Sequence, residues 1–143
     1  MLNVRQLLRG KGSDVWHIAP DATMYDALRL MADKGVGALP VLKDESLVGI
    51  ISERDYARKV ILKENTSLDT PVQEIMTERV ITVNPEHNIR ECMTLMTDKR
   101  VRHLPVIEDD RLTGIISIGD VVKAIISQQE FMIEQLEKYI GGG

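Results

Sequence analysis

With 143 residues, 43% apolar and 28% charged, the chain suits one compact globular domain that completes its core without disulfides or a structural metal. A net charge of −4 argues against a basic track for nucleic-acid phosphates, though it leaves room for a local basic pocket, and no apolar run approaches a membrane span. Cys92 is the single cysteine, and the opening MLNVRQLLRGKG lacks the apolar core of a signal peptide, so a reducing, cytoplasmic setting is expected, with neither nucleic acid nor membrane as a partner.

The chain starts with a lead-in over 1–14 that holds a short helical segment, Val4-Arg5-Gln6-Leu7-Leu8, before a strand over Val15 to Ile18. Thr23 and Asp26 then form an N-cap pair ahead of the helical stripe Met24, Ala27, Leu28 and Met31. That helix runs out at Lys34-Gly35, where the lysine complements the helix dipole. Two β-rich runs, Val36 to Leu42 and Leu47 to Ser52, are joined as a hairpin by the polar turn Lys43-Asp44-Glu45-Ser46. Pro40 marks the first of them as an edge strand or a bulge, able to present backbone groups to a ligand. A helix is predicted from Glu53 to Lys63. Lys63 to Pro71 is polar and opens a linker region, 64–78, that closes on a short helical turn, Val72 to Thr77, similar to Val4 to Leu8.

The same order then recurs. A strand over Arg79 to Val83 precedes the cap pair Asn88 and Glu91, the stripe Ile89, Cys92, Met93 and Met96, and a stop at Lys99-Arg100. Val101 to Ile107 and Leu112 to Ser117 form the second hairpin around Glu108 to Arg111, with Pro105 in its first strand. A last helix begins at Ile118 and carries an apolar stripe through Val122, Ile125, Ile126, Ile133 and Leu136 to Ile140. This stripe outruns the needs of its own half, so residues 130–143 are expected to pack on the other half or on another subunit before a flexible glycine tail.

Shifted by 65 positions, Pro40 falls on Pro105, and the frame holds without a gap from Pro20/Pro85 to Asp55/Asp120. Two copies, 15–63 and 79–129, are too few for a solenoid, which needs at least three. The expected architecture is therefore α/β (α+β): two β-α-β-β-α repeats about a pseudo-two-fold axis, with equivalent surfaces across a central cleft and a long C-terminal helix.

The sharpest chemistry lies at Gly49-Ile50-Ile51-Ser52-Glu53-Arg54-Asp55 and its echo Gly114-Ile115-Ile116-Ser117-Ile118-Gly119-Asp120. A strand ends and a helix begins there, so free N–H groups can hold an anion, and the Asp can accept from vicinal ribose hydroxyls. The same Ser-x-x-Asp spacing is also a capping box, and recurrence in both copies beside proline-broken strands is what favours a site. Gly37-Ala38 leaves room for a flat ring in one copy, whereas Arg102-His103 offers a permanent cation and an imidazole in the other.

Leu39-Pro40-Val41, Leu104-Pro105-Val106, the paired Leu-x-Gly-Ile-Ile-Ser-x-x-Asp segments and Glu74-Ile75-Met76-Thr77 resemble a tandem cystathionine-β-synthase (CBS) domain pair, or Bateman module, over almost the whole chain. The resemblance implies two composite clefts for adenosine-containing ligands, in which strand residues of one copy hold adenine and the helix-start Asp of the other holds ribose. One cleft would join Ser52, Arg54 and Asp55 with Thr77, Ile81, Thr82, Arg102, His103 and Pro105. Its counterpart would join Ser117 and Asp120 with Lys11, Trp16, His17, Gly37, Ala38 and Pro40. Gly119 stands where Arg54 stands in copy one, so the Asp55 cleft is expected to take the more phosphorylated end of a ligand. Trp16 is bulkier than the family carries at the adenine wall, which means stacking or occlusion.

The implied function is a non-catalytic regulatory module for AMP, ADP, ATP or NAD, with S-adenosylmethionine as a further candidate, working as a homodimer or through a protein target. No Ser-His-Asp order, HExxH, P-loop or GxGxxG supports an enzyme, and no metal site is expected. The alternative is a structural homodimeric adaptor whose clefts are vestigial.

Overall fold

The computed structural model describes residues 2–12, 14–62 and 68–141, so part of the linker and the last two glycines lie outside the described residues. Each copy is built on one amphipathic helix and one hairpin. Helix α2 (Met24–Lys34) and helix α4 (Ile89–Lys99) both start with a reciprocal capping box, Thr23 with Asp26 and Asn88 with Glu91. Both end on a left-handed residue, Gly35 in one copy and Arg100 in the other.

Strands β1 (Ala38–Lys43) and β2 (Ser46–Ser52) pair antiparallel, as do β3 (His103–Glu108) and β4 (Arg111–Ser117). The polar turns shrink to two residues, Asp44-Glu45 and Asp109-Asp110, all with positive φ. That is the backbone a two-residue turn needs to match the twist of its strands, and it lets the strands run further into the turn than their apolar residues suggest. A bulge follows Val41 and Val106, next to the prolines.

The strands expected over Val15 to Ile18 and Arg79 to Val83 reduce to single parallel bridges, Ile18 to Val41 and Val83 to Val106. Ile18 N–H donates to the Pro40 carbonyl at 3.1 Å and Val83 N–H to the Pro105 carbonyl at 3.0 Å. Each proline thus offers its carbonyl outward to a neighbouring segment, with no N–H of its own to leave unpaired.

The two halves exchange their lead-ins. Helix α1 (Val4–Lys11), at the head of copy one, packs Val4 and Leu7 into the core of copy two with Ile89, Cys92, Met96 and Leu104. Val72 and Ile75, ahead of copy two, pack into the core of copy one with Met24, Met31 and Leu39. The backbone repeats the exchange: Ile89 N–H donates to the Leu2 carbonyl at 3.0 Å and Met24 N–H to the Thr70 carbonyl at 2.8 Å. Arg5 fastens α1 further, reaching Glu108 at 2.6 Å and Glu86 at 2.9 Å.

Gly49 and Gly114 are the sites of closest approach in this exchange. A Cβ on Gly114 would meet Leu8 Cδ1 at 2.8 Å, and one on Gly49 would meet Met76 Sδ at 2.5 Å. Equivalent glycines in the two copies therefore receive equivalent side chains from the opposite lead-ins.

After β2, helix α3 (Glu53–Asp55) gives way to a π-helical segment, Tyr56–Ile61. The counterpart after β4, α5 (Ile118–Gly141), stays α-helical for 24 residues. Its far half is largely uncovered: Phe131, Ile133, Leu136 and Ile140 are all more than half exposed. The apolar stripe accordingly does not cover the other half-domain.

Candidate functional site

The strand-to-helix junctions leave fewer free N–H groups than expected. Ser52 and Asp55 form a capping box: Ser52 N–H and Oγ donate to Asp55 Oδ2 at 2.9 and 3.0 Å, and Asp55 N–H donates to Ser52 Oγ at 3.3 Å. Glu53 N–H is taken by the Gly37 carbonyl at 3.1 Å. In copy two, Ser117 N–H donates to Asp120 Oδ2 at 2.8 Å, Asp120 N–H to Ser117 Oγ at 3.1 Å, and Ile118 N–H to the Arg102 carbonyl at 2.8 Å. Capping and the residues before each proline thus take most of the expected backbone anion site, leaving the Arg54 and Gly119 N–H groups. The junctions also keep their carboxylates.

Each carboxylate also carries a lysine, and the two lysines come from different places. Lys59, one helical turn on from Asp55, lies 3.1 Å from its Oδ1 and donates to the Ile75 carbonyl at 2.8 Å. Lys11, from the end of α1, donates to Asp120 Oδ2 at 2.6 Å and to the Ile115 carbonyl at 2.7 Å. Burial pushes the Asp120 carboxyl up, but the Lys11 ammonium and the Ser117 hydrogen bonds outweigh it and hold its pKa below the ordinary aspartate value. The equivalent of Ile115 in copy one, Ile50, instead pairs its backbone with Thr77 at 2.9 and 3.0 Å. A backbone bridge therefore fills in copy one the role that a lysine side chain fills in copy two.

A cavity of about 480 Å³ opens at the seam between the copies, a volume suited to a small ligand. It brings together Ser52, Arg54, Asp55, Thr77, Ile81, Arg102 and His103, all assigned by sequence to one cleft. Gly37 and Ala38, assigned to the other cleft, line the same cavity, because a Cβ on Gly37 would sit 3.8 Å from the His103 ring. The half-buried His103 imidazole therefore faces copy one across the seam. Burial first, then the charge of Lys11, hold its pKa below 6.5 against the opposing pull of Asp120, with Arg102 adding a smaller push downward.

Pro105 is buried and Thr82 is exposed, and neither lines the seam cavity. Asp120 and Lys11 line a second cavity of about 640 Å³ between α1 and α5, which does not include Trp16, His17, Pro40 or Ser117. Pro40 is buried under β2, His17 is exposed, and Trp16 stacks under the Lys34 ammonium, 4.1 Å from the ring centroid. Sequence reasoning missed Arg58, Lys59 and Arg100, which also line the seam cavity. The first two were within reach, since each stands four residues after an assigned residue and so on the same helical face. Arg100 had no such signal.

Among the described residues no group of His, Cys, Asp and Glu is arranged to hold a metal ion, and no helix is long and apolar enough to cross a membrane.

Two hairpin-and-helix halves that exchange lead-ins and enclose a cavity at their seam define a duplicated α+β module. The family model described as the CBS domain matches residues 6–62 and again 72–127, and the chain belongs to that family as a tandem pair. It is 45% identical to the CBS domain-containing protein CBSX3, mitochondrial, of Arabidopsis thaliana, over 94% of this chain and 69% of that protein. Among solved structures, it resembles a protein with CBS domains from Burkholderia ambifaria MC40-6, with a TM-score of 0.85 and 47% identity over 89% of this chain and 96% of that one. It also shares the fold of the CBS domain pair of protein MJ0100, determined with 5′-methylthioadenosine and S-adenosyl-L-methionine, at a TM-score of 0.79 and 21% identity over 90% and 98% of the two chains.

Proposed function

We propose that this chain is a non-catalytic regulatory module that binds an adenosine-containing nucleotide, of the AMP, ADP, ATP or NAD type, in the seam cavity and converts occupancy into a change of conformation or assembly. The observation that carries this reading is the cavity's composition. Ile50, Val80, Ile81 and Val101 offer apolar surface to a flat base, Gly37 and Ala38 keep one wall thin, and Asp55 stands ready for ribose hydroxyls. A ribose hydroxyl competes with Lys59 for Asp55 Oδ1, and the displaced ammonium is left within the cavity to meet the phosphates.

Coupling follows from the exchanged lead-ins, because a ligand touching both copies favours the docked arrangement over any looser one. At about 100 times its dissociation constant, such a ligand adds roughly 2.7 kcal/mol to that state. An enzymatic role is disfavoured because both helix-start carboxylates are held in capping boxes and paired with lysines, which suits them to accept hydrogen bonds rather than to shuttle protons. The buried free thiol of Cys92 is at home in a reducing compartment such as the cytoplasm.

A second reading, a homodimeric adaptor with vestigial clefts, draws on the exposed apolar stripe of α5, which a second copy would cover. One experiment separates the two: calorimetry and thermal shift with AMP, ADP, ATP, NAD and S-adenosylmethionine on the wild type, Asp55→Ala and Asp120→Ala, with solution mass measured in parallel. Binding to the wild type that is lost in Asp55→Ala supports the regulatory reading. Binding unchanged in both variants sinks the ribose role, and a stable dimer indifferent to every nucleotide favours the adaptor.

A further inference from the structure

Five guanidinium groups line the seam cavity: Arg54, Arg58, Arg79, Arg100 and Arg102. None is ion-paired to any described residue, whereas Lys59 in the same cavity and Arg5 and Lys11 elsewhere all have carboxylate partners. Against these five stand Glu53 and Asp55, and Asp55 is already engaged by Ser52 and Lys59. So a chain of net charge −4 gathers an unneutralised positive cluster around about 480 Å³. Arginine keeps its charge at any accessible pH, so the mutual repulsion cannot be relieved by losing protons. An anion relieves it.

The duplication supplies an internal control. In the 65-residue frame the counterparts of Arg54, Arg58, Arg79, Arg100 and Arg102 are Gly119, Lys123, Asp14, Gly35 and Gly37. The same fold is therefore built in the other copy with a single cation at these places. Arg100 is the most telling: it sits at φ 55° where the other copy has Gly35 at φ 65°, a left-handed position that glycine fills without steric cost. The cluster is there in spite of the local backbone preference, and the fold does not require it.

We infer that the seam cavity selects its ligand by phosphate number, taking adenosine compounds with a polyphosphate tail, the nucleoside triphosphate class, ahead of the monophosphate and against the cationic sulfonium of S-adenosylmethionine. This rests on the adenosine reading proposed above. The planar guanidinium fork matches two phosphate oxygens at once, and Arg54 and Arg58 present two forks from one helical face while Arg79, Arg100 and Arg102 close on the tail from copy two. A monophosphate reaches only part of this cluster. Each further phosphate engages guanidinium groups that the shorter ligand leaves unpaired.

The test is calorimetry on the full chain, in buffer with chelator, using adenosine, AMP, ADP, ATP, S-adenosylmethionine and inorganic tripolyphosphate at low and physiological salt. Affinity is expected to rise about tenfold with each phosphate from AMP to ATP, to fall with salt most steeply for ATP, and to be weakest for S-adenosylmethionine. Arg79→Gln and Arg100→Gly, both at exposed positions and the second keeping the left-handed backbone, are expected to weaken ATP about five- to tenfold and AMP far less. Equal affinity for AMP, ADP and ATP, or tighter binding of S-adenosylmethionine than of ATP, overturns this inference and leaves the adenosine reading standing. Binding of tripolyphosphate as tight as that of ATP, with adenosine and AMP inert, does the reverse.

Discussion

Replacing Gly49 by alanine is expected to loosen the seam at which the linker crosses copy one. The added Cβ would lie 2.5 Å from Met76 Sδ, 2.9 Å from Met76 Cγ and 3.1 Å from the Thr77 carbonyl oxygen. A thioether can swing aside, but the Thr77 carbonyl is held by Ile50 N–H at 3.0 Å. Overpacking of this kind costs about 1–3 kcal/mol, and the backbone contact puts this case near 2 kcal/mol. For a chain of this length that lowers the melting temperature by about 6 °C. The sign is informative, since glycine to alanine inside an open strand is ordinarily stabilising by roughly 0.5–1 kcal/mol.

Gly114→Ala is the matched control, because its added Cβ meets only the Leu8 side chain, at 2.8, 2.9 and 3.4 Å. It is expected to cost about 1 kcal/mol. Met76→Ala removes the thioether, so Gly49→Ala combined with it should be about 1 kcal/mol better than the sum of the two single changes. Urea unfolding followed by circular dichroism reads the wild type and all four variants. A Gly49→Ala chain as stable as the wild type, or strict additivity in the cycle, would refute the close-approach argument. Thr77 lines the seam cavity, so nucleotide affinity should fall together with stability.

Two further outcomes concern titration and reactivity. His103 is held neutral in the fold while the unfolded chain takes up a proton near pH 6.5, so its contribution is complete above that pH and is lost as pH falls through the lower folded value. Wild-type stability should therefore drop between about pH 7.5 and about pH 5.5, with a shallower drop in His103→Gln; equal slopes would contradict this. Cys92 is buried, and that burial, helped by Glu91, raises its thiol pKa to about 11. A disulfide reagent at neutral pH should leave the native chain unlabelled and react fully once denaturant is added; rapid native labelling would show that the α4 core opens readily.

Much of the fold was legible in the sequence because it is written locally. The cap pairs Thr23/Asp26 and Asn88/Glu91, the apolar stripes of α2 and α4, and the two hairpins depend on residues a few positions apart, and the duplication states each of them twice. The length of α5 was legible for the same reason. The strands before each helix were not, since Ile18 and Val83 touch β1 and β3 at one residue each and the rest of those runs finds no partner.

At the site, sequence alone located the carboxylates Asp55 and Asp120, the pre-proline segments and the asymmetry between Arg54 and Gly119, all from spacing and comparison of the copies. Tertiary structure decided what surrounds them. Lys11 reaches Asp120 from 109 residues away, each lead-in packs on the opposite copy, and five arginines from the two copies converge on one cavity. Short-range rules govern caps, turns and periodicity. Which charge meets which carboxylate depends instead on how two finished halves dock, and no local pattern encodes that.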